Sequence, residues 1–236
     1  MRLPAVVARH RPAVMVGAVV AAIAVVTIVV IRAGTGGSSG PSATPTTKPT
    51  GPTAELVALV RRSQAVNVDV AYTGTEATSG AFGAHLWRRS PLARLDTDSG
   101  QGDTLKRSTQ LVASSGPLAC TKTGTAPWSC VPKPGLTLGD VGVVSPALVA
   151  KLSTLDVSVH DDRILDQAVR CFTVARPAGA TTTTGPTGAG ADLNAAELCL
   201  TSDGIPVRVV AGSTRLDAVS VNRGRAPDSV FKPPTG

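Results

Sequence analysis

The residues best suited by type to do chemistry are four cysteines, Cys120, Cys130, Cys171 and Cys199. Nine residues separate the first two and twenty-seven the last two, so the paired C-x2-C spacing of a zinc site is missing. In an exported chain they read as two disulfides. Three pairings are formally possible, and the local one, Cys120–Cys130 with Cys171–Cys199, is the one the strand pattern favours. Each bridge would stabilise by about 2–4 kcal/mol, mainly by restricting the unfolded chain.

Acid–base chemistry has little to work with. Beyond the N-terminus the only histidines are His85 and His160. His160 precedes Asp161 and Asp162, but in a strand His160 and Asp162 share one face while Asp161 points away, which describes a solvated strand end. His85, between Ala84 and Leu86, reads as a half-exposed structural residue. No G-x-S-x-G stands between a strand and a helix, and there is no H-E-x-x-H and no P-loop. The glycines of Gly185 to Gly190 lie in a Thr/Pro loop without G-x-G-x-x-G. No catalytic, metal or cofactor site is expected, and so no enzyme. Arg88 and Arg89 could meet lipid headgroups or an acidic partner, but a solvated strand end fits them better. Trp128, beside Cys130, is expected to pack on the disulfide. An aromatic content of 3% argues against a sugar- or peptide-binding groove.

The elements that hold these residues begin with a greasy stretch. Ala13 to Ile31 runs nineteen residues without a charge, about 29 Å as a helix, which matches a bilayer core of about 30 Å. Arg2, Arg9 and Arg11 precede it and Arg32 follows, so residues 1–12 are expected in the cytoplasm and everything after 32 outside. A cleaved signal peptide is the alternative, but the run is long for one and the exit IRAGTGG matches an A-x-A site poorly. A lipid anchor would need a cysteine just after the run, and the first is Cys120. The net charge of +7 is mostly topology: five basic and no acidic residues precede residue 54, and 18 basic against 16 acidic residues follow, a net of +2. Nucleic acid is therefore not an expected partner.

Residues 32–53, rich in Gly, Ser, Thr and Pro, read as a flexible tether. The folded domain, 54–236, opens with a helix capped by Thr53, with Leu56, Leu59 and Val60 on one face. Alternation then predicts strands over Val66 to Thr73, Phe82 to Arg88, Leu92 to Asp96 and Leu105 to Ala113. Leu118 to Cys120 and Trp128 to Val131 form a hairpin closed by the first bridge. A second helix runs from Ser145-Pro146 to Leu155. Five strands close the domain, the first four being Val157 to Leu165 and Ala168 to Ala175 around Asp166-Gln167, then Leu193 to Thr201 and Ile205 to Ala211 around Asp203-Gly204. Thr214 to Val221 follows. If Cys171 faces Cys199 across an antiparallel pair, Ala175 faces Ala195 and 177–192 becomes a long loop at the hairpin's end.

The order helix, VNVDVAYTGT, FGAHLWRRSPLARLD and AELCLTSDGIPVRVV…AVSVNRGRAPDSVFKPP resembles the LolA-like superfamily over about Ala54 to Pro234. That group holds the lipoprotein carrier, the MucB/RseB sensors and the LppX- and LprG-type mycobacterial lipoproteins. The resemblance implies an α+β fold, a curved antiparallel half-barrel of about ten strands with helices over its concave face. It also implies an apolar cavity that binds lipid or lipoprotein acyl chains without catalysis. Val68, Val70, Tyr72, Phe82, Ala84 and Leu86 are the candidate cavity residues. The alternative is a sensor or scaffold for a membrane-protein partner, as in the MucB-type relatives. The mycobacterial carriers use a lipidated cysteine where this chain has an apolar helix, so local binding fits better than long-range transport. Richness in Ala, Val, Thr and Arg suggests a high-GC, actinobacterial source.

Overall fold

The computed structural model describes residues 51–77, 80–144, 156–175 and 195–235. The expected anchor at 13–31, most of the tether, the helix of 145–155 and the loop of 177–192 lie outside the described residues. Among those described, no helix is long and apolar enough to cross a membrane.

Among the described residues, eleven antiparallel strands form one open sheet, one for each strand expected along the chain. They are β1 (Val68–Glu76), β2 (Gly80–Arg89), β3 (Leu92–Ser99), β4 (Lys106–Ala113), β5 (Gly116–Thr123), β6 (Ser129–Pro132), β7 (Asp156–Ile164), β8 (Gln167–Ala175), β9 (Ala195–Thr201), β10 (Pro206–Ala211) and β11 (Thr214–Asn222). The spatial order is β6-β5-β4-β3-β2-β1-β11-β10-β9-β8-β7, so two meanders meet where β1 pairs with β11. Local hairpins account for every other neighbour in the sheet.

The helix α1 (Pro52–Ser63) starts earlier than Thr53 predicts. Gly51 is its N-cap, with no side-chain cap bond, and Pro52 takes the first turn, where a missing N–H costs nothing. Leu56, Leu59 and Val60 are buried as their spacing requires, each contributing about 1.5–3 kcal/mol. Glu55 in the first turn reaches Arg170 on β8 at 2.9 Å, and Arg62 in the last donates to the Ser202 carbonyl at 2.8 Å. The Asp203-Gly204 turn then packs directly under the helix: a Cβ on Gly204 would lie 1.9 Å from the Leu59 carbonyl oxygen.

Both predicted disulfides are present. Cys171 sits opposite Cys199, and Ala175 opposite Ala195, in the register the sequence suggested. Cys120 faces Cys130 across β5–β6. The β7–β8 turn lies one residue before the expected Asp166-Gln167. Leu165 and Asp166 both adopt positive φ, at 52° and 58°, and Gln167 pairs with Ile164. That is a two-residue hairpin turn made without glycine.

The sheet curls around one face. β4 and β10 are five strand spacings apart, about 24 Å if the sheet were flat. Yet Gln110 on β4 and Val209 on β10 line a single cleft of about 60 Å³. The concave face holds the main core, including Val70, Leu86, Phe172, Leu200 and Val207, all with 0–1% exposure. It is covered by α1 and by an irregular loop over 133–144, whose Val141, Val143 and Val144 are buried. On the convex face the C-terminal segment crosses β2–β5. Its short 3-10 turn (Asp228–Phe231) buries Phe231 and Ala226 against Leu111 and Trp87.

Candidate functional site

The concave side of β1 and β2 is one apolar stripe, paired as Val70 with Leu86, Tyr72 with Ala84 and Gly74 with Phe82. The Phe82 ring lies across Gly74 so closely that a Cβ there would be 2.3 Å from its Cζ. Tyr72 is buried, and its hydroxyl donates to the Pro206 carbonyl at 2.9 Å. Burial pushes its pKa well up, so it stays a neutral donor, although Arg88 pulls the other way.

Of the six residues expected around a cavity, Phe82 and Ala84 line the cleft. Val68, Val70, Tyr72 and Leu86 are packed in the closed core beside it, each no more than 4% exposed. The rest of the apolar lining comes from Leu95 on β3, Val143 on the covering loop, Val209 on β10 and Leu216 on β11. Alternation marks Leu95, Val209 and Leu216 as buried but does not show that they meet, and it says nothing of Val143 in its irregular loop. Only the curl of the sheet does that.

One wall of the cleft is polar. Thr97 and Ser108 share a hydrogen bond at 2.6 Å across β3–β4. Beside them Gln110 presents a buried side-chain oxygen with no hydrogen-bond partner among the described residues. A buried acceptor without a donor is costly, by about 1–3 kcal/mol. The cleft can thus take an apolar body and satisfy one donor.

The covering loop is held by turns and by Arg88. Thr137 donates through its backbone N–H and its hydroxyl to Asp140, at 2.9 and 2.6 Å. Arg88 is not the solvated strand end that the sequence suggests: it is 3% exposed and donates to the carbonyls of Ser63 and Val141 at 2.9 and 3.0 Å. It lies on the concave side because residues 84, 86 and 88 alternate inward, and the loop then closes over it. Burial lowers its pKa, partly offset by Tyr72, and its Nε has no partner among the described residues. Arg89 is also engaged rather than solvated. It donates to the Ala226 carbonyl at 2.9 Å, pairs with Asp228 and lies 4.9 Å from the Phe231 ring centroid.

The residues weighed for acid–base chemistry lie elsewhere. His85 faces outward, 2.5 Å from Asp69 and stacked on Trp87. His160 is exposed on edge strand β7, while Asp161 and Asp162 pair with Arg170 and Arg208. Among the described residues no group of three or more His, Cys, Asp or Glu is placed to hold a metal.

No family model matches the chain, and no curated protein matches it. Among solved structures it is similar to MucB in complex with MucA(peri), at a TM-score of 0.44 and 14% identity, covering 75% of this chain. It is also similar to the Mycobacterium tuberculosis lipoprotein LppX, at a TM-score of 0.37 and 14% identity, covering 73% of this chain and 97% of that one. The chain spans 57% of the MucB chain.

Proposed function

We propose that this chain is a membrane-tethered, extracytoplasmic module whose concave face binds an amphiphile without catalysis. Its ligand has an apolar body, such as an acyl chain, and one hydrogen-bond donor. The two disulfides support an oxidising compartment, and the apolar run at 13–31 would supply the tether.

The observation that carries the reading is the cleft itself: Phe82, Leu95, Val209 and Leu216 surround it, and the unpartnered Gln110 oxygen lies in its wall. At about 60 Å³ it is below the range of about 300–1,000 Å³ usual for ligand pockets. A whole ligand therefore enters by displacing the loop over 136–144, which is held by turns and Arg88 rather than by a strand ladder. An acyl chain offers apolar area comparable to that of Val141, Val143 and Val144, and so offsets their exposure.

The test uses a photoreactive fatty acid added to membranes carrying the full chain, with labelled peptides mapped after irradiation. Label is expected in 80–99 and 206–216, reduced by Ala84→Trp, which fills the cleft. Absence of label from both segments, or label indifferent to Ala84→Trp, would overturn the reading. Recovery of one stable protein partner from unlabelled protein would favour a scaffold instead.

A further inference from the structure

Both tryptophans of the chain converge on a second hollow, on the convex face, away from the cleft. Trp87 lies on β2 and Trp128 just before β6, and together they flank a space of about 380 Å³. That volume falls within the usual ligand-pocket range of about 300–1,000 Å³. Low aromatic content argues against aromatic platforms only while the few aromatics are scattered, and here the sheet gathers them.

The floor exists because side chains are missing from it. Along one convex row the register runs from Asp217 through Thr73, Gly83, Asp98 and Arg107 to Lys122. Gly83 leaves a gap in that row, and the Asp98 carboxylate leans into it: a Cβ on Gly83 would meet Asp98 Oδ1 at 2.2 Å.

The walls are preorganised. His85 stacks on Trp87 with ring centroids 3.7 Å apart and 16° between planes. The Arg94 guanidinium backs Trp87 at 5.7 Å and is held by both oxygens of Asp96, each at 2.7 Å, and by the Val230 carbonyl at 2.9 Å. On the other side, Cys130, bridged to Cys120, pins the chain two residues beyond Trp128. Asp98 and Arg107 face each other across β3–β4 and line the hollow, yet neither side chain forms a hydrogen bond or ion pair among the described residues.

We infer that this hollow is a saccharide-binding site that takes a neutral pyranose. With His85 on one face of Trp87 and Arg94 on the other, the aromatic surface offered to the C–H face of a sugar ring is that of Trp128 and the outer side of His85. A free carboxylate beside a free guanidinium suits hydroxyls, which donate to the first and accept from the second. An anion would meet Asp98, and a cation would meet Arg107. A neutral polyol satisfies both.

The full chain carries only these two tryptophans, so its intrinsic fluorescence reports on the hollow directly. Maltotriose, cellotriose and tri-N-acetylchitotriose are the probes, with choline as the cationic comparison. At least one sugar should give a saturable change at millimolar concentration. Asp98→Ala and Arg107→Ala should each weaken it by about tenfold, and Gly83→Val should abolish it by displacing the carboxylate. Asp98 and Arg107 are both exposed, so an unchanged far-ultraviolet spectrum is expected for their variants. Three results would overturn the inference: saturation by none of the sugars, saturation by choline alone, or sugar binding unchanged in both charge variants.

Discussion

Arg88 Nη2 donates to the carbonyl of Val141 at 3.0 Å, and through that bond the end of β2 holds down the loop that covers the concave face. Nη1 of the same guanidinium reaches the Ser63 carbonyl at the end of α1, at 2.9 Å. One buried side chain thus joins sheet, helix and loop.

Arg88→Met should therefore take the donor from the buried Val141 carbonyl, while the Ser63 carbonyl keeps the Val66 N–H at 3.3 Å. An orphaned acceptor costs about 1–3 kcal/mol, offset in part because a buried charge is removed as well. A net loss of about 1–3 kcal/mol is expected in denaturant unfolding, with faster amide exchange over 136–144 before exchange rises elsewhere.

The two bridges should differ in value. Cys171–Cys199 spans 28 residues and Cys120–Cys130 spans 10, so chain entropy predicts about 3–4 and about 2–3 kcal/mol respectively. Paired Cys→Ser variants, compared by denaturant midpoint, should rank in that order. Non-reducing peptide mapping should recover both linked pairs.

Gly204 has φ +83°, and its missing Cβ leaves room for the Leu59 carbonyl. Gly204→Ala should cost more than about 1 kcal/mol, while Gly224→Ala, with open space around it, should be close to neutral. Thermal unfolding of the two variants side by side separates the contact from glycine content.

Leu165 occupies the left-handed region at φ 52° and is 40% exposed. Asn tolerates that conformation far better. Leu165→Asn should raise stability by about 0.5–1 kcal/mol, read as a higher unfolding midpoint.

Acid should loosen the domain through Asp203 and Asp217. The Arg223 hydrogen bond holds the Asp203 carboxyl below the usual range, against the pull of burial. At Asp217 burial pushes up, but Arg215 and Arg208 together hold it down. A folded-state pKa below the unfolded one means that the stabilisation is complete above the unfolded value and is lost as pH falls through the folded one. Unfolding midpoints should therefore drop below about pH 4. Asp203→Asn and Asp217→Asn should each shrink that drop while lowering stability at neutral pH.

Local chemistry made much of the fold legible. Period-two alternation marks β1, β2, β8 and β9, and turn residues such as Asp203-Gly204 punctuate them, because each depends on neighbours within a few residues. The cysteine spacing, set beside those strands, also implies the register in which Cys171 meets Cys199. What the sequence could not show is what happens across many strands. Whether Leu95 meets Val209 depends on how far the sheet curls, a sum of small twists over five strands. Whether Arg88 is wet depends on a loop that begins more than forty residues later. Tertiary structure alone decided that Phe82 and Ala84 line a cleft while Val70 and Leu86 close a core. It also decided that the two tryptophans, far apart in the chain, flank a single hollow.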